Sequence, residues 1–396
     1  MALAIATLLL LSFDAGWAAA QTAEPRDSFG RFDAAVTHEI EAGQIPGAVV
    51  LFGQDGRVVY RGVFGARTVE PERTMLDPDT IFDLASLTKP VATATAIMQL
   101  VEAGRLDLDK PVASYWPAFA QNDKAAITVR QLLTHTSGLP ADLDLKSDWR
   151  GEAAALARVA ATQLQSQPNA KFLYSDINFI VLGELVRNIS GEPLDAYARD
   201  HIFAPLQMVD TGFKPPSAKL ARIAATDREH GAVRRGEVQD PTADRMGGVA
   251  GHAGLFSTAD DLARFAEMLL DGGSLDDVRI LRPESVEMMT RAAVLPGGVR
   301  RALGWDVASA YSAGMDEAFG PSGYGHTGYT GCLLWIDPLS RRFLIVLTSR
   351  LHPNGRGDVK PLRLELAHLV AEVSRENVTE KQTSSLATVG IPVDGF

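Results

Sequence analysis

The amino-acid sequence predicts an α/β fold carrying an all-α domain: an antiparallel sheet flanked by helices, interrupted by an inserted helical domain, with a cleft where the two meet. Three observations predict it. A helix and two strands stand near the start of the chain, two strands and a helix stand near its end, and the readable elements between them are helices.

The first helix is expected over Phe29 to Ala42, where Phe32, Val36 and Ile40 recur at helical spacing and Gly43 supplies a stop. Two strands follow, GAVVLFG (Gly47 to Gly53) and RVVYRGVFG (Arg57 to Gly65), rich in β-branched and aromatic residues. Gln54, Asp55 and Gly56 make the hairpin turn between them. The counterpart at the other end is CLLWID (Cys332 to Asp337), a turn around Pro338, RFLIVLTS (Arg342 to Ser349), and a helix through Leu362 to Val373. From Val91 to about Leu270 helices dominate: VATATAIMQLVEAG, TVRQLLTH, EAAALARVAATQL, DINFIVLGELVRNISG and TADDLARFAEMLLDGG. A discontinuous sheet domain (29–90 and 321–376) is thus expected to hold a mainly helical insertion (91–320), followed by a polar, aperiodic and mobile tail (377–396).

At 396 residues the chain is long enough for two or three units at roughly 150 residues each. A hydrophobic content of 46% and a charged content of 22% are those of a globular protein. The formal net charge of -11, with no run of five like charges, argues against nucleic acid or an anionic membrane as partner. An apolar stretch from Ala2 to Leu11 followed by Ala18, Ala19 and Ala20 reads as a signal peptide over residues 1–20, although no Lys or Arg precedes it and Asp14 follows it. The expected location is therefore periplasmic or secreted. The uncharged run is shorter than the roughly 20 residues a bilayer needs, so no transmembrane segment is expected after cleavage. Cys332 is the only cysteine, which excludes an internal disulfide and reads as a small buried side chain.

Three stretches carry chemistry. In IFDLASLTKP, Ser86 and Lys89 form the pattern S-x-x-K where an extended segment enters a helix. Unpaired N–H groups and the dipole at a helix start favour negative charge on an oxyanion formed at Ser86. Lys89, one turn on, shares its face, and a desolvated amine there can accept the serine proton. In FLYSDINF, Tyr174 stands at the N-terminal end of the next helix, where a phenol near an ammonium is biased towards phenolate and can shuttle a proton. In GYGHTGYTG, four glycines surround His326 and lead into a strand whose edge can bind an extended substrate. Taken singly, each has a bland reading: a cap, a boundary aromatic, a loop histidine.

Together, S-x-x-K at 86–89, Y-S-D at 174–176 and H-T-G at 326–328 resemble, in order and position, the motifs of the penicillin-recognising serine hydrolases. The closest likeness is to the class C β-lactamase branch, with its D,D-carboxypeptidases, D-aminopeptidases and esterases; LLTHTSGLP and GGVAGHAGLFSTADDLARF support it over about Phe29 to Val373. The resemblance implies the β-lactamase/transpeptidase-like fold and acyl transfer without metal or cofactor. Ser86 would be the nucleophile, with Lys89 and Tyr174 as general base and acid. The backbone N–H groups of Ser86 and Tyr329 would form the oxyanion hole. Asp176, Asn178, His326, Thr327 and Gly328 would contact a peptide or other small-molecule substrate.

Two positions depart from the family pattern. Asp176 stands where Asn is frequent, with Asn178 offering a substitute contact, and His326 stands where Lys is frequent and carries full charge only below about 6.5. Both weaken the case for efficient β-lactam hydrolysis and favour a D,D-peptidase, with a carboxylesterase or a non-catalytic penicillin-binding sensor as rivals. Minor candidates are His252 and Gly254 as a loop beside the cleft, Arg350 and His352 as carboxylate contacts, and Asp83 as a turn or cap. The nucleophile-elbow pattern G-x-S-x-G, the zinc motif H-E-x-x-H and the P-loop are absent.

Overall fold

A computed structural model describes residues 26–229, 232–312 and 314–388. The signal peptide expected over residues 1–20 lies outside these.

The central sheet has nine strands, labelled here β1 (Gly47–Gln54), β2 (Arg57–Thr68), β3 (Thr74–Met75), β4 (Ala293–Val294), β5 (Arg300–Arg301), β6 (Asp306–Ala308), β7 (Tyr324–Thr327), β8 (Leu333–Asp337) and β9 (Arg342–Thr348). Their order is β4-β5-β6-β7-β8-β9-β1-β2-β3, and the pairs are antiparallel. The two ends of the chain meet at its centre, where Val50 faces Val346 and Leu51 faces Ile345 across β1 and β9. The β1–β2 turn is closed by Asp55 and Gly56, both at positive φ (53° and 74°), which matches the twist of a two-residue hairpin.

Alternation of side chains along these strands sorts them into two cores. Val49, Leu51, Leu334, Ile336, Phe343, Ile345 and Leu347 enter the larger one, shared with the helical domain. Ala48, Val50, Phe52, Leu333, Trp335, Leu344 and Val346 point the other way, beneath the first helix (Arg26–Glu41) and the last (Lys360–Thr388). Every residue of β1 and β9 is consequently buried, which is why both read as apolar runs.

The inserted helices form where expected, with principal segments Thr95–Glu102, Val129–Leu133, Glu152–Ala161, Asp176–Ser190 and Ala259–Leu270. Two expectations are corrected. The insertion does not run to residue 320 as helix, because β4, β5 and β6 return to the sheet; they are two or three residues long and contain Arg300, Arg301 and Asp306, so no apolar alternation marks them. The last helix continues through Thr388, so residues 377–388 are not the mobile tail expected, and 389–396 lie outside the described residues. Among the described residues no helix is long and apolar enough to cross a membrane.

Candidate active site

A small sheet prepares the position of Ser86. Phe82–Asp83 pairs with Leu255–Ser257, and the buried Asp83 carboxylate accepts the N–H groups of Ala85 (2.9 Å) and Gln239 (2.7 Å). Burial pushes its pKa up to about 6 against the lowering effect of those two bonds, by which the carboxylate caps the turn as expected. Ala85 is held at a φ of +48°, and Ser86 follows in a tight 3₁₀ turn, Ala85–Leu87. Lys89–Ala94 then winds as a wide π-helix before the regular helix begins at Thr95. Pro90 at its start lacks the N–H that a regular turn would donate to residue 86.

Lys89 is completely buried and projects back at the serine. Its Nζ donates to Ser86 Oγ (2.9 Å) and to the carbonyl of His252 (3.0 Å), and lies 2.7 Å from Asp176 Oδ1. Burial opposes the ammonium charge, but the Asp176 carboxylate and the Tyr174 phenol outweigh it and hold Lys89 above the ordinary lysine range. The amine at rest is therefore charged, contrary to the expectation of a proton lost through desolvation. Tyr174 is likewise not biased towards phenolate: burial, together with the Asp176 charge, raises its pKa more than Lys89 and Ser86 lower it. Its ring stacks on His135 (centroids 4.4 Å apart, planes at 26°), and Lys89 Nζ lies 5.0 Å from its centroid. Ser86 and Lys89, joined by a hydrogen bond, and the adjacent Tyr174 are the groups of a candidate proton network.

Asp176 is the charge that keeps this network protonated, since it raises the pKa of Lys89 and of Tyr174. If activation requires one proton to leave the pair, kcat/KM rises with pH through the alkaline range. Asp176→Asn removes the negative charge, lowers both pKa values, and is expected to move that ascending limb to lower pH and raise the rate at pH 7 several-fold. A pH–rate profile that stays in place would refute this role for Asp176.

His135 and Asn178 form the support beneath. The Ser175 N–H donates to His135 Nδ1 (3.1 Å), the Asn178 amide lies 3.3 Å from the same nitrogen, and Asn178 Oδ1 accepts the Ser137 hydroxyl (2.6 Å). Asn178 is fully buried in these bonds, so it does not supply the substrate contact expected of it. It lies two residues into its helix and points inward with Ile177 and Phe179.

On the opposite wall β7 presents His326 and Thr327. The His326 Nδ1 lies 2.8 Å from the Thr327 carbonyl and so carries the proton, leaving Nε2 as an acceptor with no protein partner among the described residues. Burial, with Arg301 and Lys89 nearby, pushes its pKa well below 6.5; His326 is a neutral imidazole and not a cation. Gly328 packs so closely that a Cβ there would sit 2.4 Å from the Leu84 carbonyl, which holds the Gly328–Cys332 turn against the Ser86 turn. The N–H groups of Ser86 and Tyr329 have no acceptor among the described residues, the condition for receiving an oxyanion.

A fixed cation of the cleft is Arg301, which nothing in the sequence singles out. Its side chain is buried; Nη1 lies 3.4 Å from Asp306 Oδ2, while Nε and Nη2 have no hydrogen-bond partner among the described residues. It shares a cavity of about 680 Å³ with Ser86, Tyr174, Asp176, His326 and Thr327. Arg350 lines the same cavity, whereas His352 is engaged elsewhere. Arg350 Nε donates to the Tyr329 carbonyl (2.6 Å), and the Val69 N–H donates to His352 Nε2 (2.8 Å). His252 does belong to a loop beside the cleft, its carbonyl on Lys89 and its ring 2.9 Å from Asp240. Gly254 sits at a φ of +110° with the Gly248 carbonyl where a Cβ would fall. Cys332 is buried, its thiol pushed up to about 11. No group of three metal-binding side chains occurs among the described residues.

The Beta-lactamase family profile matches residues 32–369. This chain belongs to the β-lactamase family. A relative from Escherichia coli O157:H7, provisionally named D-alanyl-D-alanine carboxypeptidase, is 33% identical over 368 residues, 82% of this chain and 83% of its own. Among solved structures, a penicillin-binding protein homologue from Caulobacter crescentus superposes with a TM-score of 0.71 at 24% identity, covering 88% of this chain and 98% of that one. EstCE1, a hydrolase with promiscuous acyltransferase activity, gives 0.67 at 23% identity, covering 86% and 98%. The expected fold class is thus that of the β-lactamase family, and the chain is a hydrolase of the β-lactamase and penicillin-binding superfamily.

Proposed function

We propose that this member of the β-lactamase family is a D,D-carboxypeptidase-type serine hydrolase. Ser86 Oγ attacks the carbonyl of the last peptide bond, and the serine proton passes through the Tyr174–Lys89 network to the departing amine. The acyl-enzyme is then cleaved by water. The Ser86 and Tyr329 N–H groups receive the carbonyl oxygen in both steps.

One observation carries this reading over an esterase: Arg301, a buried guanidinium with two N–H donors that have no protein acceptor among the described residues, lines the nucleophile's own cavity. A guanidinium so placed suits the free carboxylate that a carboxypeptidase substrate presents and a simple ester lacks. It supplies the fixed positive charge that neutral His326 does not. The provisional name of the Escherichia coli relative points to the same reaction. Such substrates lie outside the cytoplasm, in keeping with a cleaved leader over residues 1–20. A β-lactam, which also carries a carboxylate, is the related alternative. A carboxylesterase is the second reading, favoured by the Asp176 carboxylate in the cleft, which repels an anion.

Arg301→Gln separates the two. With a peptide ending in D-Ala-D-Ala, kcat/KM is expected to fall about 100-fold, and with p-nitrophenyl acetate less than threefold. Equal losses on both substrates would remove Arg301 from carboxylate recognition and bring the esterase reading forward.

A further inference from the structure

The turn that would present the Tyr329 N–H contains five carbonyl groups, and each accepts a hydrogen bond from the protein. The Gly328 carbonyl accepts from Arg363 Nη2 (3.0 Å) and the Gly331 N–H (3.1 Å). That of Tyr329 accepts from Arg350 Nε (2.6 Å), and that of Thr330 from the Arg350 N–H (2.9 Å). Those of Gly331 and Cys332 accept from Arg363 Nε (3.2 Å) and Nη2 (2.8 Å). Arg363 comes from the last helix, on the far side of the sheet from the helical domain, and no carboxylate forms an ion pair with it among the described residues. Burial pulls its pKa down to about 10, so this placement carries a cost in desolvation.

A trans peptide is planar, with its N–H pointing opposite to its C=O. The Gly328 C=O and the Tyr329 N–H belong to one such peptide. Anchoring the carbonyl on Arg363 therefore aims the N–H the other way. Gly328 and Tyr329 both line the cavity that holds Ser86, so the N–H turned away from Arg363 is directed to that cavity in this reading. The guanidinium also sits behind this peptide with its positive charge on the oxygen side, polarising the N–H towards an incoming anion.

From this geometry we propose that Arg363 is a positioning residue for the oxyanion site: it fixes the Gly328–Tyr329 peptide so that its N–H meets the oxyanion formed at Ser86. The proposal rests on the serine-hydrolase reading above. Arg363 also lines the cavity, but its hydrogen bonds go to the carbonyls of the turn, so the proposal predicts a loss in kcat larger than any change in KM.

The test uses the full-length chain with Arg363→Met and Arg363→Lys, the wild type, and Ser86→Ala as a blank, on p-nitrophenyl acetate and a D-Ala-D-Ala peptide. Arg363→Met is expected to lower kcat about 100-fold with KM within threefold, to weaken a phenylboronate, which forms a tetrahedral adduct with a serine, by a similar factor, and to recover rate when guanidinium ion is added. Arg363→Lys keeps the charge but not the forked donor and is expected to lie between. A kcat within threefold of wild type, or a change confined to KM or thermal stability, would overturn the proposal. If the Met variant does not fold, the Lys variant decides: a tenfold lower kcat at constant KM supports the role, and an unchanged kcat rejects it. A wild type that is never acylated at Ser86 would sink the hydrolase reading and this proposal with it. Normal acylation in the wild type beside unaffected variants would sink this proposal alone.

Discussion

Ser86→Ala is expected to abolish covalent labelling by a fluorescent penicillin and to lower turnover of ester and peptide by at least about 10³-fold. With Lys89 buried and charged, the Ser86 hydroxyl is the group that the network would activate for acyl transfer, and an alanine there leaves the rest of the site standing. Lys89 keeps Asp176 at 2.7 Å and the His252 carbonyl at 3.0 Å, so the fold should lose no more than about 1 kcal/mol. Intact mass of the protein after exposure to substrate, read beside thermal melting, checks both halves. Equal labelling of wild type and variant would mean that Ser86 is not the nucleophile, and a penicillin-binding sensor or another chemistry would have to be considered.

Lys89→Met is expected to cost activity on the same scale and, unlike the serine change, to destabilise the fold. The methionine can fill much of the buried volume, but it leaves the Asp176 carboxylate without its cation and the His252 carbonyl without its donor. Breaking a buried pair from one side costs roughly 3 kcal/mol or more. Adding Asp176→Asn removes the stranded charge, so the double variant should recover most of the stability and none of the turnover. That split distinguishes a catalytic lysine from a merely structural one. Turnover in Lys89→Met within tenfold of wild type would refute a proton-transfer role for Lys89, whatever the melting temperature shows.

The parts of the fold legible in advance were those whose pattern is local. Val49, Leu51 and their neighbours form an apolar run long enough to announce a strand buried on both faces, and Asp55-Gly56 announces a hairpin. Ile177, Val181, Leu185 and Ile189 mark a helix before any partner is known. The short edge strands around Arg301 carry no such pattern, because two residues cannot display a period and their partners lie elsewhere in the chain. The continuation of the last helix to Thr388 was missed because its sequence is polar and without an apolar stripe, the usual mark of a helix docked on a core.

The sequence by itself determined the chemistry on offer: a serine and a lysine one turn apart, a tyrosine at a helix start, and a glycine-rich approach to a strand, in an order that resembles one family of acyl-transfer enzymes. These are matters of residue type and short spacing, which a chain states before it folds. Only the tertiary structure decided the charge states and the supporting contacts. Lys89 is protonated because Asp176 is brought within 2.7 Å of it, and His326 is neutral because burial and Arg301 make a second cation unfavourable. Asn178 is withdrawn into a buried bond with Ser137, while Arg301 and Arg363 are carried to the cleft from segments 215 and 277 residues beyond Ser86. Electrostatic energy depends on distance and burial, and both are set by residues far apart in sequence, so neither can be read until the chain has closed on itself.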